Sequence, residues 1–164
     1  MNRLWSPWRS AYIDSFKDTA GNTGCIFCDY PKMDKDSENL ILFRGTDHFI
    51  IMNLYPYNSG HLMVIPYQHT TRLEDLSSAA SAEAISLLSR CQAALAAGLK
   101  AQGFNIGVNL GKAAGAGIDD HLHFHIVPRW QGDTNFMPVF ADIKVIPEEM
   151  IRTYQKLKPW FTDK

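Results

Sequence analysis

The chain is poor in cysteine, in surplus charge of either sign and in long apolar runs, and each shortage removes a class of protein. Three cysteines in 164 residues are too few, and odd in number, for a disulfide framework. Lysine and arginine total 16 against 17 acidic residues, a net charge of −1, and the sequence pI is near 6.6. Proteins that grip nucleic acid need a clustered basic face, so no nucleic-acid partner is expected. No stretch reaches the roughly 18 apolar residues of a membrane-spanning helix. The opening "MNRLWSPWRSAYIDS" lacks the unbroken apolar centre of a secretory leader, so a cytoplasmic location without a membrane partner is expected. Internal repeats, low-complexity blocks and dividing linkers are missing too. One domain over residues 1-164 follows, of a size that buries roughly two thirds of its unfolded surface, with 46% hydrophobic residues to fill one core.

What is present is concentrated. Three of the six histidines stand at alternate positions in "HLHFHIVPRW", residues 121 to 130. In an extended strand successive side chains point to opposite faces, so His121, His123 and His125 share one face and Leu122, Phe124 and Ile126 the other. Imidazole carries protons near neutral pH, ligates metals and can act as a nucleophile. Alternation does not choose among the three. Cys25 and Cys28 form a C-x-x-C, which makes half of a tetrahedral zinc site and needs two further ligands. A redox pair competes with that reading, but it would stand at the start of a helix after a strand, whereas a Gly-containing polar link precedes this one and Pro31 follows. Directly before the histidines runs "NLGKAAGAGIDD", residues 109 to 120, whose small residues let backbone N–H groups approach an anion closely.

The remaining chain supplies a scaffold. Trp5, Trp8 and Tyr12 in the first 20 residues form an aromatic N-terminal extension expected to pack against the body or a partner subunit. "LILFRGTDHFIIMNLYPYNSGHLMVIPYQH" reads as two or three antiparallel strands with Asp47 in a turn. From about Ser78 to Lys100 the sequence is Ala-rich, with Ile85, Leu88, Leu95 and Leu99 at helical spacing and Gly103 as the stop. Cys91 on that helix is expected in the core. "FNIGVNLG" reads as a strand, and Pro147, Glu148 and Glu149 open a final helix to about Lys158.

Taken together these segments resemble the histidine triad (HIT) superfamily of nucleotide hydrolases and transferases. "HLHFHIV" matches its His-x-His-x-His-x-x pattern, "GCIFCDYPK" its Cys-Ile-Phe-Cys segment, "NLYPYNSGHLMVIPYQH" its Gly-His…Pro…His segment, and "NLGKAAGAG" its Asn-x-Gly phosphate loop. "WSPWRSAYI", "HIVPRW" and "GDTNFMPV" further resemble a bacterial subgroup described as diadenosine tetraphosphate phosphorylase-like. The fold implied is α+β, an antiparallel sheet of about five strands with one long helix and a C-terminal helix, in a homodimer. The activity implied is cleavage of a dinucleoside polyphosphate, such as diadenosine tetraphosphate, or of an AMP conjugate, through a nucleotidyl-histidine intermediate. A nucleotide-binding module with little turnover, and a metalloenzyme using all three triad histidines as ligands, are the alternatives.

The resemblance also distributes roles. His123 is implied as nucleophile and His125 as a contact to phosphate. One structural zinc per chain is implied on Cys25, Cys28, His69 and His121. Asn53 is implied on the nucleoside side, with Asn109, Gly111, Gly115, Ala116 and Gly117 shaping the phosphate loop and Trp130 as an aromatic substrate contact. His61 is left outside the metal set as structural or pocket-lining. Many relatives place Gln followed by Ser or Thr before the triad, where this chain has Ala116, Gly117, Ile118, Asp119 and Asp120. No hydroxyl in that run can position an acceptor.

Overall fold

The computed structural model describes residues 24–134 and 148–162. A short helix α1 (Ile26–Asp29) leads into the strands β1 (Ile41–Arg44), β2 (His48–Met52) and β3 (Leu62–Pro66). The long helix α2 (Ser78–Leu99) follows, then β4 (Gly103–Val108), β5 (Phe124–Arg129) and a last helix α3 (Met150–Leu157). The strands form one sheet in the order β1-β2-β3-β5-β4, and every neighbouring pair is antiparallel. After β3 the chain crosses over α2 to the far edge, and β5 then fills the gap between β4 and β3. The α+β architecture expected from the sequence is therefore present.

β2 and β3 are buried at all ten positions, because both faces of the central sheet are covered. On one face Ile50, Met52, Leu62, Val64 and Ile126 pack against Leu87, Leu88, Cys91, Ala94 and Leu95 of α2 and Tyr154 and Leu157 of α3. On the other, Ile41, Phe49, Ile51, Met63 and Ile65 enclose Phe27 of α1. Period-2 alternation thus sorts apolar residues between two cores instead of between core and water.

The helix departs from its sequence reading in two places. Its inner stripe is Ala80, Ala84, Leu87, Leu88, Cys91, Ala94 and Leu95, at spacings of three and four that keep one face inward. Small alanines in that stripe let the helix lie close to the sheet. Ile85, read as part of the stripe, is 67% exposed, because it follows Ala84 directly and so lies about 100° around the helix from it, beyond the edge of the buried stripe. Cys91 is fully buried as expected, and burial pushes its thiol pKa up. The helix begins where the Ser77 side chain accepts from the Ala80 N–H at 3.1 Å, a normal N-cap. It ends on Lys100, which takes the left-handed conformation at φ 57. Gly103, read as the stop, instead opens β4.

The final helix starts at Met150 with Glu149 as its N-cap, and Pro147 lies outside the described residues. So does the N-terminal aromatic extension. The histidine segment is also corrected. β5 begins at Phe124, so only His125 of the triad is in a strand, while His121 and His123 precede it. Even so, Leu122, Phe124 and Ile126 reach the cores on the α2 side, and the histidines face the other way, as the alternation requires.

Candidate active site

Cys25 precedes α1, and its carbonyl accepts from the N–H groups of Cys28 at 2.9 Å and Asp29 at 3.0 Å. This tight turn brings the two sulfurs to one side. The Leu122 N–H donates to the Thr70 carbonyl at 2.6 Å, which ties the segment after β3 to the one before β5. Cys25 Sγ then stands 3.2 Å from His121 Nδ1. Cys28 Sγ lies 3.3 Å from His69 Nδ1 and 3.6 Å from His121 Nδ1, and the two Nδ1 atoms are 3.2 Å apart.

Could this quartet hold a metal? Ligand atoms around a tetrahedral zinc, with bonds of about 2.0–2.3 Å, sit about 3.4–3.8 Å from one another. The four donor atoms here lie within 4.8 Å of one another, with several pairs within a few tenths of the ideal. His121 is oriented for ligation, since its Nε2–H donates to the Pro66 carbonyl at 2.9 Å and leaves Nδ1 with the lone pair. Burial pushes the Cys25 thiol up to about 11, so a metal must displace its proton. The donor set fits zinc.

The remaining triad histidines lie next to this cluster but outside it. His123 is 5% exposed and its Nδ1–H donates to the His121 carbonyl at 2.8 Å, which leaves Nε2 unprotonated. Burial lowers its pKa below the ordinary histidine value, opposed by the His121 carbonyl and by Asp120, so the ring is neutral at pH 7. Phe27 separates the cluster from the pocket. Its ring lies 5.6 Å from His121, edge-on, and 5.4 Å from His123.

His61 is the residue whose place the sequence did not settle. It is 1% exposed and its Nε2 lies 3.0 Å from His125 Nδ1. Two donors converge on its other nitrogen: the Tyr57 N–H at 3.1 Å and the Asn53 amide Nδ2 at 3.3 Å. Nδ1 must therefore carry the lone pair, Nε2 the proton, and His61 donates to His125. That bond in turn makes His125 Nδ1 an acceptor, so His125 is neutral with its proton on Nε2. The only sequence signal was a histidine one residue after a turn glycine. Gly60 is at φ +74, and a Cβ there would come within 2.5 Å of Leu99 Cδ1, so the turn that aims His61 requires glycine.

His123 and His125 line one pocket together with Phe27, Asn53, Tyr55, Tyr57, Met63, Asn109, Gly117 and Ile118. An apolar slot continues from it through Phe27, Asn53, Met63 and Ile118 to Ile26, Leu40 and Ile51. Of the phosphate-loop residues, Asn109 and Gly117 reach the pocket; Gly111, Gly115 and Ala116 flank it in the same loop. Gly111 and Gly115 take positive φ of 77 and 82, on either side of a single 3-10 turn. Asp119 faces Lys112 Nζ across the loop at 3.5 Å, which offsets some of its charge. Trp130 stands elsewhere. Its indole N–H donates to the Leu99 carbonyl at 3.2 Å, at the end of α2, and it lines a different cavity with Asn58, Lys100 and Asp133.

The HIT domain model matches residues 34–132. This chain belongs to the HIT domain family. The HIT protein is 37% identical over 162 residues to AP-4-A phosphorylase of Mycobacterium tuberculosis, covering 96% of this chain and 82% of that protein. It is 30% identical over 121 residues to an adenosine 5'-monophosphoramidase of Saccharomyces cerevisiae, covering 72% of each. Among solved structures, a Zn-bound histidine triad family protein from Mycobacterium smegmatis superimposes with a TM-score of 0.68 at 28% identity, covering 85% of this chain and 94% of that one. No helix among the described residues is long and apolar enough to cross a membrane.

Proposed function

We propose that this HIT protein transfers or hydrolyses a nucleotidyl group, cleaving a dinucleoside polyphosphate such as diadenosine tetraphosphate, or another AMP conjugate, through His123. One observation carries the proposal. His123 is buried, neutral and locked by the His121 carbonyl, so it presents an unprotonated Nε2 to a pocket that Asn53, Asn109 and His125 line together with Phe27, Met63 and Ile118. The Nε2 lone pair attacks the α-phosphorus, a P–N bond forms, and the bond to the leaving group breaks with its electron pair on the leaving atom. Water or phosphate then displaces Nε2 and restores the imidazole. Two easier displacements replace one hard one.

His125 offers an Nε2–H to a phosphate oxygen, an interaction of the kind that stabilises charge developing in the transition state. Asn53, Asn109 and Gly117 contact the nucleotide, with Gly111, Gly115 and Ala116 setting the loop's shape, and the apolar slot takes the base. Trp130 has no contact with this pocket in the chain described, so a substrate contact by its ring would have to come from outside the pocket. Names of relatives that act on AP-4-A and adenosine 5'-monophosphoramidates support the substrate class.

Zinc on Cys25, Cys28, His69 and His121 would serve as a fixed cross-link between α1 and the triad segment. Because His121 is committed there, His123 and His125 are left for chemistry. This supports the two-cysteine, two-histidine set over a metal on the three triad histidines. We also take the protein to be a homodimer. β4 is an edge strand, with Ile106 51% exposed on it and Leu110 44% exposed just after it; a monomeric mass in solution would remove this reading.

The test is incubation with diadenosine tetraphosphate, with and without inorganic phosphate, and identification of the products. His123→Ala should lose more than about a hundredfold in rate, the scale of a missing catalytic group. Nucleotide binding without turnover in either protein would instead favour the binding-module reading.

A further inference from the structure

The loop between β2 and β3 carries Asn53, Tyr57 and His61, and it has little ladder of its own. β3 pairs with β5 at Leu62, Val64 and the residue between them, so beyond Ile126 the β5 edge on that side is left to the loop. Asn58, 5% exposed, fills this place. Its side-chain Nδ2 donates to the Pro128 carbonyl at 3.1 Å and to Asp133 Oδ2 at 2.9 Å. Both partners are acceptors, which fixes the amide orientation.

Asp133 is held in turn. Its carboxylate accepts from Arg129 Nε at 2.6 Å, from Arg129 Nη2 at 2.9 Å and from the Trp130 N–H at 3.2 Å. Arg129 also donates to Asn105 Oδ1 at 2.8 Å, so the anchor rests on β4 as well as β5. The Asn58 carbonyl, for its part, accepts from the His61 N–H at 3.1 Å. From Arg129 to His125 there is thus an unbroken path: Arg129, Asp133, Asn58, the turn to Tyr57 and His61, and His125.

We infer that Asp133 and Asn58 are positioning residues for catalysis, clamping the loop so that the Tyr57 N–H holds His61 Nδ1 and the proton of His125 stays on Nε2. The inference rests on the proposed role of His125. Without the clamp the Tyr57 N–H drifts from His61 and only the longer Asn53 contact at 3.3 Å still favours the lone pair on Nδ1, so both imidazoles can exchange tautomers more readily and His125 can turn a lone pair toward the phosphate. A lone pair there repels the oxygens that the N–H would stabilise.

Asp133→Asn and Asn58→Leu break the clamp from either end without touching the pocket. Each should lower kcat on an AMP conjugate by about tenfold or more, up to the hundredfold typical of a lost transition-state donor, with KM nearly unchanged. In a His125→Ala background neither should cause further loss, because the group they position is already gone. Nitrogen-15 spectra of the histidines should show one Nε2–H tautomer for His125 in the native protein and a mixture in both variants. Further loss in the His125→Ala background, or an unchanged His125 tautomer in a variant that folds and has lost activity, would overturn the inference. Full activity in both variants would do so too. If native protein turns over no AMP conjugate, the proposed function itself fails, whereas the tautomer spectra still decide whether the clamp sets His125.

Discussion

Replacing Phe27 by Ala should separate the two parts of the site. The ring is 3% exposed and packs among Ile41, Phe49, Ile51, Met63 and Ile65, and it also touches His121 and His123. Deleting a fully buried phenyl ring costs about 3–5 kcal/mol, from lost transfer energy and the cavity left behind. Here the upper half of that range applies, since its neighbours on β1, β2 and β3 are held by the ladder and resist collapse into the cavity. At about 2–4 °C of melting temperature per kcal/mol for a chain of this size, the shift is about 8–20 °C. None of the four proposed zinc ligands is altered, so zinc binding at one per chain should match that of the native protein. AMP affinity should fall, because the ring forms the wall shared by the pocket and the apolar slot. Urea denaturation, metal analysis and AMP titration on one preparation test this. A stability loss under about 1 kcal/mol, or loss of zinc in a folded variant, would refute the reading of Phe27 as a buried wall between the Cys/His cluster and the pocket.

Cys25→Ser should abolish stoichiometric zinc while His123→Ala retains it, read by metal analysis; the reverse would favour a metal on the triad. Zinc loading of apoprotein at pH 7 should release the Cys25 proton, visible with a pH indicator in weak buffer, since burial holds that thiol protonated up to about 11. The acid limb of kcat/KM should fall below the ordinary histidine value of about 6.5, because a lowered His123 pKa keeps the free base at lower pH; a limb above it would contradict a buried nucleophile. Glu83 accepts from the N–H groups of Thr46 at 2.7 Å and Asp47 at 2.8 Å and pairs with His48 at 2.9 Å, which holds its pKa below the usual carboxylate range despite partial burial. Its stabilisation is therefore present above the unfolded carboxylate pKa and lost as pH falls through the lower folded one. Glu83→Gln should cost about 1.5–3 kcal/mol at pH 7 and progressively less as pH falls through the lowered folded pKa, by chemical denaturation at neutral and acidic pH.

Much of this was legible because the chemistry-bearing residues are also the scarce ones. The C-x-x-C needed two partners, and the resemblance to the histidine triad superfamily is what pointed to His69 and His121 among the six histidines. Strand segments were legible from their apolar runs. What the sequence could not give was tertiary pairing. His61 and His48 look alike as single histidines beside turns, yet one aims at His125 and the other closes on Glu83, 35 residues away. Ile85 fitted a helical stripe by hydrophobicity alone, but the sheet lies on the side where alanines allow close approach. Trp130 is put near substrate only by resemblance to an aromatic of the phosphorylase-like subgroup, whereas β5 ends at Arg129 and the Trp130 indole bonds the Leu99 carbonyl at the end of α2. The strand assignment of His121 and His123 failed because the ladder begins only at Phe124, and Leu122 between them bonds the Thr70 carbonyl instead.

The central claim is that His123 becomes covalently nucleotidylated during turnover. Rapid mixing with adenosine-labelled diadenosine tetraphosphate, an alkaline quench that preserves the P–N bond, and peptide mapping test it directly. The account predicts a labelled adduct on His123 that forms and decays at rates compatible with turnover and is missing in His123→Ala. Turnover with no adduct on any histidine, or an adduct that persists in His123→Ala, would contradict it.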